Sequence, residues 1–331
     1  MRVLANGLCG SDYNLFNGKV APMSEGLPVV PGHEMVGRLT MIDPVAAARW
    51  HVAVGDRVAV KPMAPCGGCP ECRAGRDRWC PNTFLYSGAS VNNGCGLWGG
   101  MAEYMVLRPG SQLCKIPDNV SDLDAGLFNA LSNSFEWTGR VGNVGIGDRV
   151  LILGGGQRGL GSALVAHEAG ASQVILTGLN RDRHKLAIAP DFGATDVINV
   201  EEIDTVERVR ELTDGHGVDV VIDTVPGATD PILHAIDLLR PEGRLVLAGV
   251  KSREISGLFT DKIVTKALQV LGAMTTTDWA DVQTARMLAS GKYDWGKLHS
   301  HHFGLDDFER AVRLLGGEIP GEDPLHITIL P

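Results

Sequence analysis

The sequence predicts an α/β protein in which a compact, mainly β unit is followed by a doubly wound parallel sheet. Residues 1 to about 130 contain short β-like runs such as GDRVAV and MAEYMVL, separated by turns rich in glycine, proline and cysteine. From residue 148, continuous apolar strands alternate with helical patterns. That alternation is typical of a parallel sheet covered by helices on both faces.

The elements of the parallel sheet follow one another in a clear order. The stretch DRVLILGGGQRGLGSALVAHEAGASQVILTGL predicts a strand, a glycine-rich turn, a helix and a second strand. HGVDVVIDTV and RLVLAGV predict two more strands, with a helix between them that Pro241 and Gly243 end. After residue 275 the strand pattern fades, and a helix at DDFERAVRLLGGE precedes a terminal strand at LHITIL.

Composition and charge exclude several classes of protein. No apolar run approaches the roughly 20 residues that a membrane helix needs, so we expect no membrane association. The start, MRVLANGLCGSD, lacks the apolar core of a secretory signal, and a cytoplasmic location is therefore the expectation. The net charge of −9 argues against a nucleic-acid partner, which would require clustered positive charge.

Four cysteines are concentrated in one loop, APCGGCPECRAGRDRWCPN, with the spacing C-x2-C-x2-C-x7-C. In an intracellular protein thiols stay reduced, so this spacing indicates a metal site. Zinc prefers four thiolates in a tetrahedron, and we predict a closed structural zinc site that holds the loop. Free thiols, a redox pair or an iron–sulfur centre are the alternatives, although iron–sulfur runs have a different spacing. The predicted ligands are Cys66, Cys69, Cys72 and Cys80.

Two cysteines and a run of histidines lie outside this loop. Cys95 and Cys114 match no motif, and we expect both to be ordinary buried side chains. The segment HSHH holds His299, His301 and His302, which form a rival metal cluster. Nothing nearby supplies a complementary set of ligands, so we expect these histidines to lie in an irregular surface segment.

A second metal site is predicted from two short segments near the start of the chain. Cys9 lies in GLCGSD, and His33 lies beside Glu34 in PGHEMVG. A thiolate and an imidazole from separate segments, with one coordination position left open, are what a catalytic zinc requires. Each segment alone is weak support, and the prediction depends on their combination.

The glycine-rich turn predicts a dinucleotide site. Gly154, Gly156 and Gly159 satisfy G-x-G-x-x-G directly after a strand and at the start of a helix. Such glycines let a pyrophosphate approach the N-terminus of the helix. Leu160 follows the third glycine and is included among the expected cofactor contacts.

The end of the next strand bears on the choice of cofactor. An acidic residue there would bind the ribose hydroxyls of NAD, but Gly178 occupies the position, 24 residues beyond Gly154. Arg181 or Arg183 can pair with the 2′-phosphate of NADP, although Asp182 lies between them. We therefore favour NADP over NAD.

The order of the motifs resembles that of the zinc-dependent medium-chain dehydrogenase family, which includes alcohol, sorbitol, threonine and glucose dehydrogenases. The motifs are, in order, GLCGSD, PGHE, VGDRV, CGGCPEC with its fourth cysteine, GGMAEY and the glycine turn. The resemblance covers essentially the whole chain. It implies a GroES-like catalytic domain over residues 1–131 and 275–331, and a Rossmann dinucleotide-binding domain over residues 132–274. It also implies a small-molecule alcohol, polyol or sugar substrate and a homo-oligomer, either a dimer or a tetramer.

The resemblance further implies roles for individual residues. Cys9 and His33 would be ligands of the catalytic zinc, and Glu34 would be a neighbour able to approach the metal. Ser11 would relay a proton, and Asp12 would hold the ring of His33. In this chemistry zinc acts as a Lewis acid that lowers the pKa of a bound hydroxyl, and hydride leaves for the nicotinamide.

The chain departs from the family pattern at three positions. Asn129 stands where the polyol branch has a glutamate ligand, Ala130 stands where other members have a cysteine, and Asn14 replaces a relay histidine. Zinc with one thiolate, one imidazole and a neutral amide keeps a net positive charge unless Glu34 supplies the missing anion.

These departures leave alternatives open. One is a medium-chain reductase that keeps only the structural zinc and acts on activated double bonds or carbonyls. Two zinc ions per chain would support the dehydrogenase, and one would support the reductase. Another is a non-enzymatic zinc module, which the acidic net charge and the complete dinucleotide turn disfavour.

The start of the chain is also unusual for this resemblance. Only eight residues precede Cys9, where the family normally has further strands. Lost strands would leave a sheet edge unpaired, and we expect a truncated or misassigned start.

Overall fold

The computed structural model describes residues 1–19 and 27–331. Contacts within the chain divide it into two compact units. The first unit comprises Met1–Asn129 together with Asp281–Pro331, and the second comprises Ala130–Ala280. Within the described ranges, no helix combines the length and the apolar character needed to cross a membrane.

The first unit is built on a six-stranded sheet. In spatial order its strands are β13 (His299–Phe303), β14 (His326–Ile329), β1 (Arg2–Gly7), β2 (Met35–Arg38), β3 (Arg57–Val60) and β6 (Leu113–Lys115). Two further strands, β4 (Met63–Ala64) and β5 (Phe84–Leu85), form a separate pair. Neighbouring strands are antiparallel except β13 and β14, which run parallel.

Short helices connect these strands. They are α1 (Gly10–Phe16), α2 (Pro44–Trp50), α3 (Pro70–Arg73), α4 (Asp122–Ala125) and α12 (Phe308–Leu315). Two helices cross from one unit into the other along the chain, namely α5 (Phe128–Ser134) and α11 (Asp278–Ala289). The apolar core of the first unit includes Val3, Met35 and Val58, each no more than 1% exposed.

The pairing of β1 with β2 determines where the first candidate site forms. Because the two strands are antiparallel, with Asn6 opposite Met35, the residues after β1 lie beside the residues before β2. The terminal strand β14 pairs with the other side of β1, with Gly7 opposite Thr328. Segments from the start and the end of the chain therefore meet at the end of β1.

The β-like run MAEYMVL does not form a strand. Its backbone makes three hydrogen bonds to the start of the chain: from Val3 N–H to the carbonyl of Glu103, from Met105 N–H to the carbonyl of Met1, and from the amino group of Met1 to the carbonyl of Met105. Residues 101–107 make a single isolated bridge, Arg2 to Tyr104, and no continuous ladder. The alternation of apolar side chains matches a strand, but too few backbone groups pair to extend one.

The second unit contains a six-stranded, fully parallel sheet. In spatial order its strands are β12 (Gln269–Gly272), β11 (Leu239–Leu247), β10 (Val218–Asp223), β7 (Arg149–Leu153), β8 (Gln173–Gly178) and β9 (Asp196–Asn199). The helices of this unit are α6 (Gln157–Glu168), α7 (Arg183–Ile188), α8 (Thr205–Leu212), α9 (Asp230–Leu238) and α10 (Asp261–Thr265). The strand order reverses between β7 and β10, which is the topological switch point of a doubly wound sheet.

The predicted α/β class is confirmed. Strand β7 is buried over Val150–Leu153, as expected for a parallel strand covered on both faces. One boundary differs from the prediction. Helix α9 ends at Leu238, and Pro241 lies inside β11, where the pairing with β10 shifts register. A bulge tolerates proline because the missing N–H is not needed by the ladder there.

Candidate functional site

The first candidate site is formed by the residues that follow β1 and precede β2. Cys9 directly precedes α1, and its backbone N–H donates to Oδ2 of Asp12 over 2.9 Å. His33 and Glu34 directly precede β2. Before them, Gly32 has φ of +96°, and a Cβ there would lie 2.7 Å from the backbone nitrogen of Met101. Only glycine fits this turn, which turns the chain toward His33.

Three ligand atoms converge at this site. One donor atom each from Cys9, His33 and Glu34 lies within 4.8 Å of the others. Cys9 and Glu34 are buried, and the side chain of His33 is 18% exposed. Thiolate sulfur, imidazole nitrogen and carboxylate oxygen are the ligand types that zinc takes in proteins, and the donor set therefore fits a zinc ion.

The ring of His33 is held by two neighbours. Its Nδ1 lies 3.3 Å from Oδ1 of Asp12, and its Nε2 lies 3.3 Å from Oγ of Ser11. Burial alone lowers the pKa of His33, but the Asp12 carboxylate and Cys9 oppose it, and the pKa ends well above its usual value. Asp12 is buried and Ser11 is exposed, so the ring is oriented from inside while its other nitrogen faces a hydroxyl at the surface.

The three departures from the family pattern lie on α1 and α5. Asn129 is half-buried at the second position of α5, and its role as a third ligand stays a prediction. Ala130 is buried and offers no donor atom in its side chain. Asn14 lies half-buried in α1.

The second candidate site is the cysteine loop. Sγ of Cys69 lies 3.4 Å from Sγ of Cys72 and 3.8 Å from Sγ of Cys80. A tetrahedron with zinc–sulfur distances of about 2.3 Å has edges of about 3.8 Å, so these separations fit four thiolates around one ion. All four sulfur atoms, including that of Cys66, lie within 4.8 Å of one another.

Local structure brings the four sulfur atoms together. Cys69 caps the N-terminus of α3, where Pro70 is the first helical residue, and its Sγ accepts a hydrogen bond from Cys72 N–H. Cys80 follows a 3₁₀ turn over Asp77–Trp79, and its Sγ accepts from Cys66 N–H. Backbone donors directed at sulfur stabilise the thiolate form that a metal needs.

The thiols of this loop are unequal in acidity. Hydrogen bonds from the backbone of Gly68 and Cys69 lower the pKa of Cys66 to about 6. Burial, together with hydrogen bonding to Cys69, raises the pKa of Cys72 to about 12. One thiol is thus ready to bind metal at neutral pH, and another gives up its proton when the metal binds.

Two cysteine predictions are wrong, and one histidine prediction is wrong in part. Cys95 is exposed and Cys114 is half-buried, because both lie in segments at the surface of the first unit. The HSHH segment lies in strand β13, and the side chain of His299 is only 7% exposed, whereas His302 is exposed as expected. Within residues 1–19 and 27–331, the HSHH histidines join no group of three potential metal ligands.

The third candidate site is the glycine-rich turn of the second unit. A Cβ at Gly159 would lie 1.8 Å from the carbonyl oxygen of Gly154, so this glycine lets α6 pack against the end of β7. Gly156 caps α6, and a Cβ there would meet nothing within 4 Å. Open space at a helix N-terminus is a feature of pyrophosphate sites, and the binding of a cofactor here stays a prediction. Leu160 is fully buried in α6.

The residues after β8 surround the position expected for the adenosine ribose. Asp182 turns inward, accepting from Leu179 N–H and pairing with Lys185 at 2.8 Å. Burial raises the pKa of Asp182, but the interaction with Lys185 lowers it more. Arg183 pairs with Glu202, whereas the side chain of Arg181 is exposed.

Sequence reasoning missed two features of this unit. Glu202 follows the neighbouring strand β9, and only the pairing of β8 with β9 brings it to Arg183. A buried ion pair also lies at the carboxyl end of β10, where Nζ of Lys251 is 2.8 Å from Oδ2 of Asp223. An aspartate at the end of an apolar strand is the sequence signal that could have indicated this position.

Comparisons with known proteins identify the family of this chain. The alcohol dehydrogenase GroES-like domain family matches residues 1–118, and the zinc-binding dehydrogenase family matches residues 159–290. The Mycobacterium tuberculosis H37Rv protein named probable alcohol dehydrogenase adh is 38% identical over all of this chain and 91% of its own length. An erythritol/L-threitol dehydrogenase of Mycolicibacterium smegmatis is 30% identical over all of this chain and 90% of its own.

Solved structures show the same fold. A protein of Sinorhizobium meliloti 1021, solved bound to NADP, matches with a TM-score of 0.84 and 26% identity, covering all of this chain and 91% of that one. The family matches, the relatives and the two-unit fold are consistent with one another. The chain belongs to the zinc-dependent medium-chain dehydrogenase family.

Proposed function

We propose that this protein is a zinc-dependent dehydrogenase that transfers hydride between a secondary alcohol, polyol or sugar and a nicotinamide cofactor. The observation that carries the proposal is the convergence of Cys9, His33 and Glu34 within 4.8 Å. Relatives named as an alcohol dehydrogenase and an erythritol/L-threitol dehydrogenase support the substrate class.

Four residues of the first unit are proposed as ligands or neighbours of the metal. Cys9 and His33 would hold a catalytic zinc, Glu34 is close enough to join them, and Asn129 is the proposed neutral ligand. When bound, the zinc supplies Lewis-acid chemistry that makes the substrate hydroxyl more acidic. Asp12 lies beside Nδ1 of the His33 ring, which would leave Nε2 as the nitrogen available to the ion.

Ser11 is proposed to carry the proton that the substrate hydroxyl loses. Its Oγ lies 3.3 Å from Nε2 of His33 and is exposed, so the hydroxyl reaches both the site and solvent. In the oxidation direction the C–H hydride goes to the nicotinamide and the hydroxyl proton goes through Ser11 to water. With Asn14 in place of a relay histidine, no imidazole on α1 takes part in this step.

The cysteine loop is proposed to hold a structural zinc. Four sulfur ligands leave no open position, so this ion stabilises the loop between β4 and β5 and takes no part in hydride transfer. The complete enzyme would then contain two zinc ions per chain.

NADP is the proposed cofactor. Gly178 places no carboxylate at the end of β8, and Asp182 is turned inward by its bonds to Leu179 and Lys185. The exposed Arg181 is then the cation proposed to meet the 2′-phosphate, because the guanidinium of Arg183 is paired with Glu202. An NAD enzyme would be expected to direct a carboxylate at the ribose instead.

A homo-oligomer, either a dimer or a tetramer, is proposed from the edge of the parallel sheet. Strand β12 is an edge strand with Val270 42% exposed, and Val264 and Met274 nearby are 76% and 52% exposed. An unpaired edge flanked by apolar side chains is a template for another strand. A second copy, related by a two-fold axis, would pair its own β12 with this edge.

The experiment combines zinc analysis with a substrate panel. The purified protein is analysed for zinc and then assayed with alcohols, polyols and sugars, using NADP and NAD in parallel. We expect two zinc ions per chain and turnover of a secondary hydroxyl. Cys9→Ser should lose one zinc and its turnover while keeping nearly unchanged affinity for NADPH. One zinc per chain, with reduction of activated double bonds, would replace this proposal with the reductase alternative.

A further inference from the structure

Buried polar side chains lie behind the candidate metal ligands, around the last residue of β1. A Cβ placed on Gly7 would lie 2.6 Å from Oε2 of Glu34 and 3.1 Å from Cε1 of His326. Glu34 and His326 therefore flank the same point, where only glycine leaves room for both. His326 opens β14 and is fully buried, and Cε1 is the ring carbon bonded to both nitrogens.

A second histidine, His299, lies beside His326. His299 pairs in register with His326, and their rings are 5.7 Å apart and tilted by 59°. Nε2 of His299 lies 2.9 Å from Oδ1 of Asp124, whose other oxygen accepts from the hydroxyl of Ser121. The ring of His326 thus lies between a carboxylate of the metal-ligand group and a histidine that Asp124 holds in place.

We infer that His326 is the positioning residue that determines how far the carboxylate of Glu34 reaches toward the metal. This inference rests on the proposed function, because the metal is the zinc proposed at Cys9 and His33. Glu34 is 2% exposed, and a buried carboxylate must be stabilised by a cation or by hydrogen-bond donors. The imidazole of His326 and an ion held by Cys9 would therefore both act on the carboxylate of Glu34.

The position of the Glu34 carboxylate matters because the other proposed ligands carry little negative charge. Cys9 is the one proposed anionic ligand besides Glu34, and Asn129 is neutral. With the carboxylate held back by His326, Cys9 would be the one anionic ligand, and a coordination position would be left for the substrate. When the imidazole is removed, Glu34 is expected to move to the metal, which binds the zinc more firmly and occupies that position.

Zinc release from the intact holoenzyme tests the inference. A chromophoric chelator is added to the protein, and the release of the zinc that depends on Cys9 is followed separately from that of the cysteine loop. We expect His326→Leu to slow release of this zinc by about 10-fold, the lower end of what an outer partner changes at a zinc site. Substituting cobalt for zinc adds a spectroscopic signature, because a new oxygen ligand shifts the visible absorption of the ion.

A double-mutant cycle shows whether the effect passes through Glu34. In a Glu34→Gln background, His326→Leu should no longer change the rate of zinc release. Thr328→Val is the matched control, since Thr328 is a fully buried polar residue on the same strand and lies near Gly126. We expect it to release zinc at the parental rate. His326→Gln keeps a hydrogen-bond donor at this position and replaces His326→Leu in the experiment if that variant does not fold. Its rate of zinc release should return toward the parental rate.

The outcomes separate the inference from the function on which it rests. Two zinc ions with unchanged release in His326→Leu would overturn the inference alone, as would an equal change in the Glu34→Gln background. A parental protein with one zinc, lost entirely in Cys69→Ser, would overturn the proposed function and the inference together.

Discussion

A methyl group at Gly156 tests whether the glycine turn holds a pyrophosphate. This residue caps α6 with φ of −73° and ψ of 179°, an extended conformation that alanine adopts without strain. A Cβ there would meet nothing within 4 Å in the protein. Gly156→Ala should therefore leave the fold intact, and it should stabilise the second unit by about 0.4–1 kcal/mol through the unfolded chain.

The same substitution should weaken cofactor binding even though it stabilises the fold. The methyl group would occupy the space next to the first N–H groups of α6, where a phosphate must come within hydrogen-bond distance. Displacing the pyrophosphate by about 1 Å is expected to weaken binding about 100-fold, which is about 2.7 kcal/mol. Titration of NADPH fluorescence gives this dissociation constant directly.

Gly145→Ala is the matched control for this measurement. A Cβ at Gly145 would also meet nothing within 4 Å, and the residue precedes β7 in the same unit. It should bind NADPH like the parent. Gly159→Ala differs from both, because its Cβ would lie 1.8 Å from the carbonyl of Gly154 and should cost about 1–3 kcal/mol of stability. Parental NADPH affinity in Gly156→Ala would refute the assignment of the turn.

Three further predictions follow from the other sites. Cys69→Ser should lose one zinc per chain and lower the Tm by about 5 °C or more in a calorimetric scan, with NADPH affinity unchanged; full zinc content would contradict the four-sulfur site. Arg181→Ala should lower kcat/KM for NADP by about 10-fold or more and leave kcat/KM for NAD almost unchanged. Arg183→Ala should change the preference for NADP over NAD less, because Arg183 pairs with Glu202. Equal effects of the two substitutions would argue against Arg181 as the partner of the 2′-phosphate. Val270→Lys should shift the sedimenting species toward the monomer, and an unchanged mass would exclude β12 as the contact.

The local sites could be predicted because their residues are close in the sequence. The four cysteines lie on one loop, and a turn of α3 and a short 3₁₀ turn suffice to bring their sulfur atoms together. The glycine turn is similarly local, since the strand, the turn and the helix are consecutive. Short-range spacing carries this information without knowledge of the rest of the fold.

Predictions failed where pairing between distant segments decides the outcome. The run MAEYMVL has the alternation of a strand, but its backbone meets β1 at too few positions. The pattern of HSHH carries no apolar alternation, yet the parallel pairing of β13 with β14 makes it a strand and buries the side chain of His299. Side-chain pattern describes one segment, whereas a sheet depends on what lies beside it.

From the sequence alone, the fold class, the cysteine loop and the glycine turn were determined, because each depends on periodicity or spacing within one segment. The family followed from the order of these motifs along the chain. Only the tertiary structure decided that Glu34 and His326 share the space at Gly7, and that Glu202 is the partner of Arg183. Those contacts depend on strand register, and no local pattern records which residues a register will place side by side.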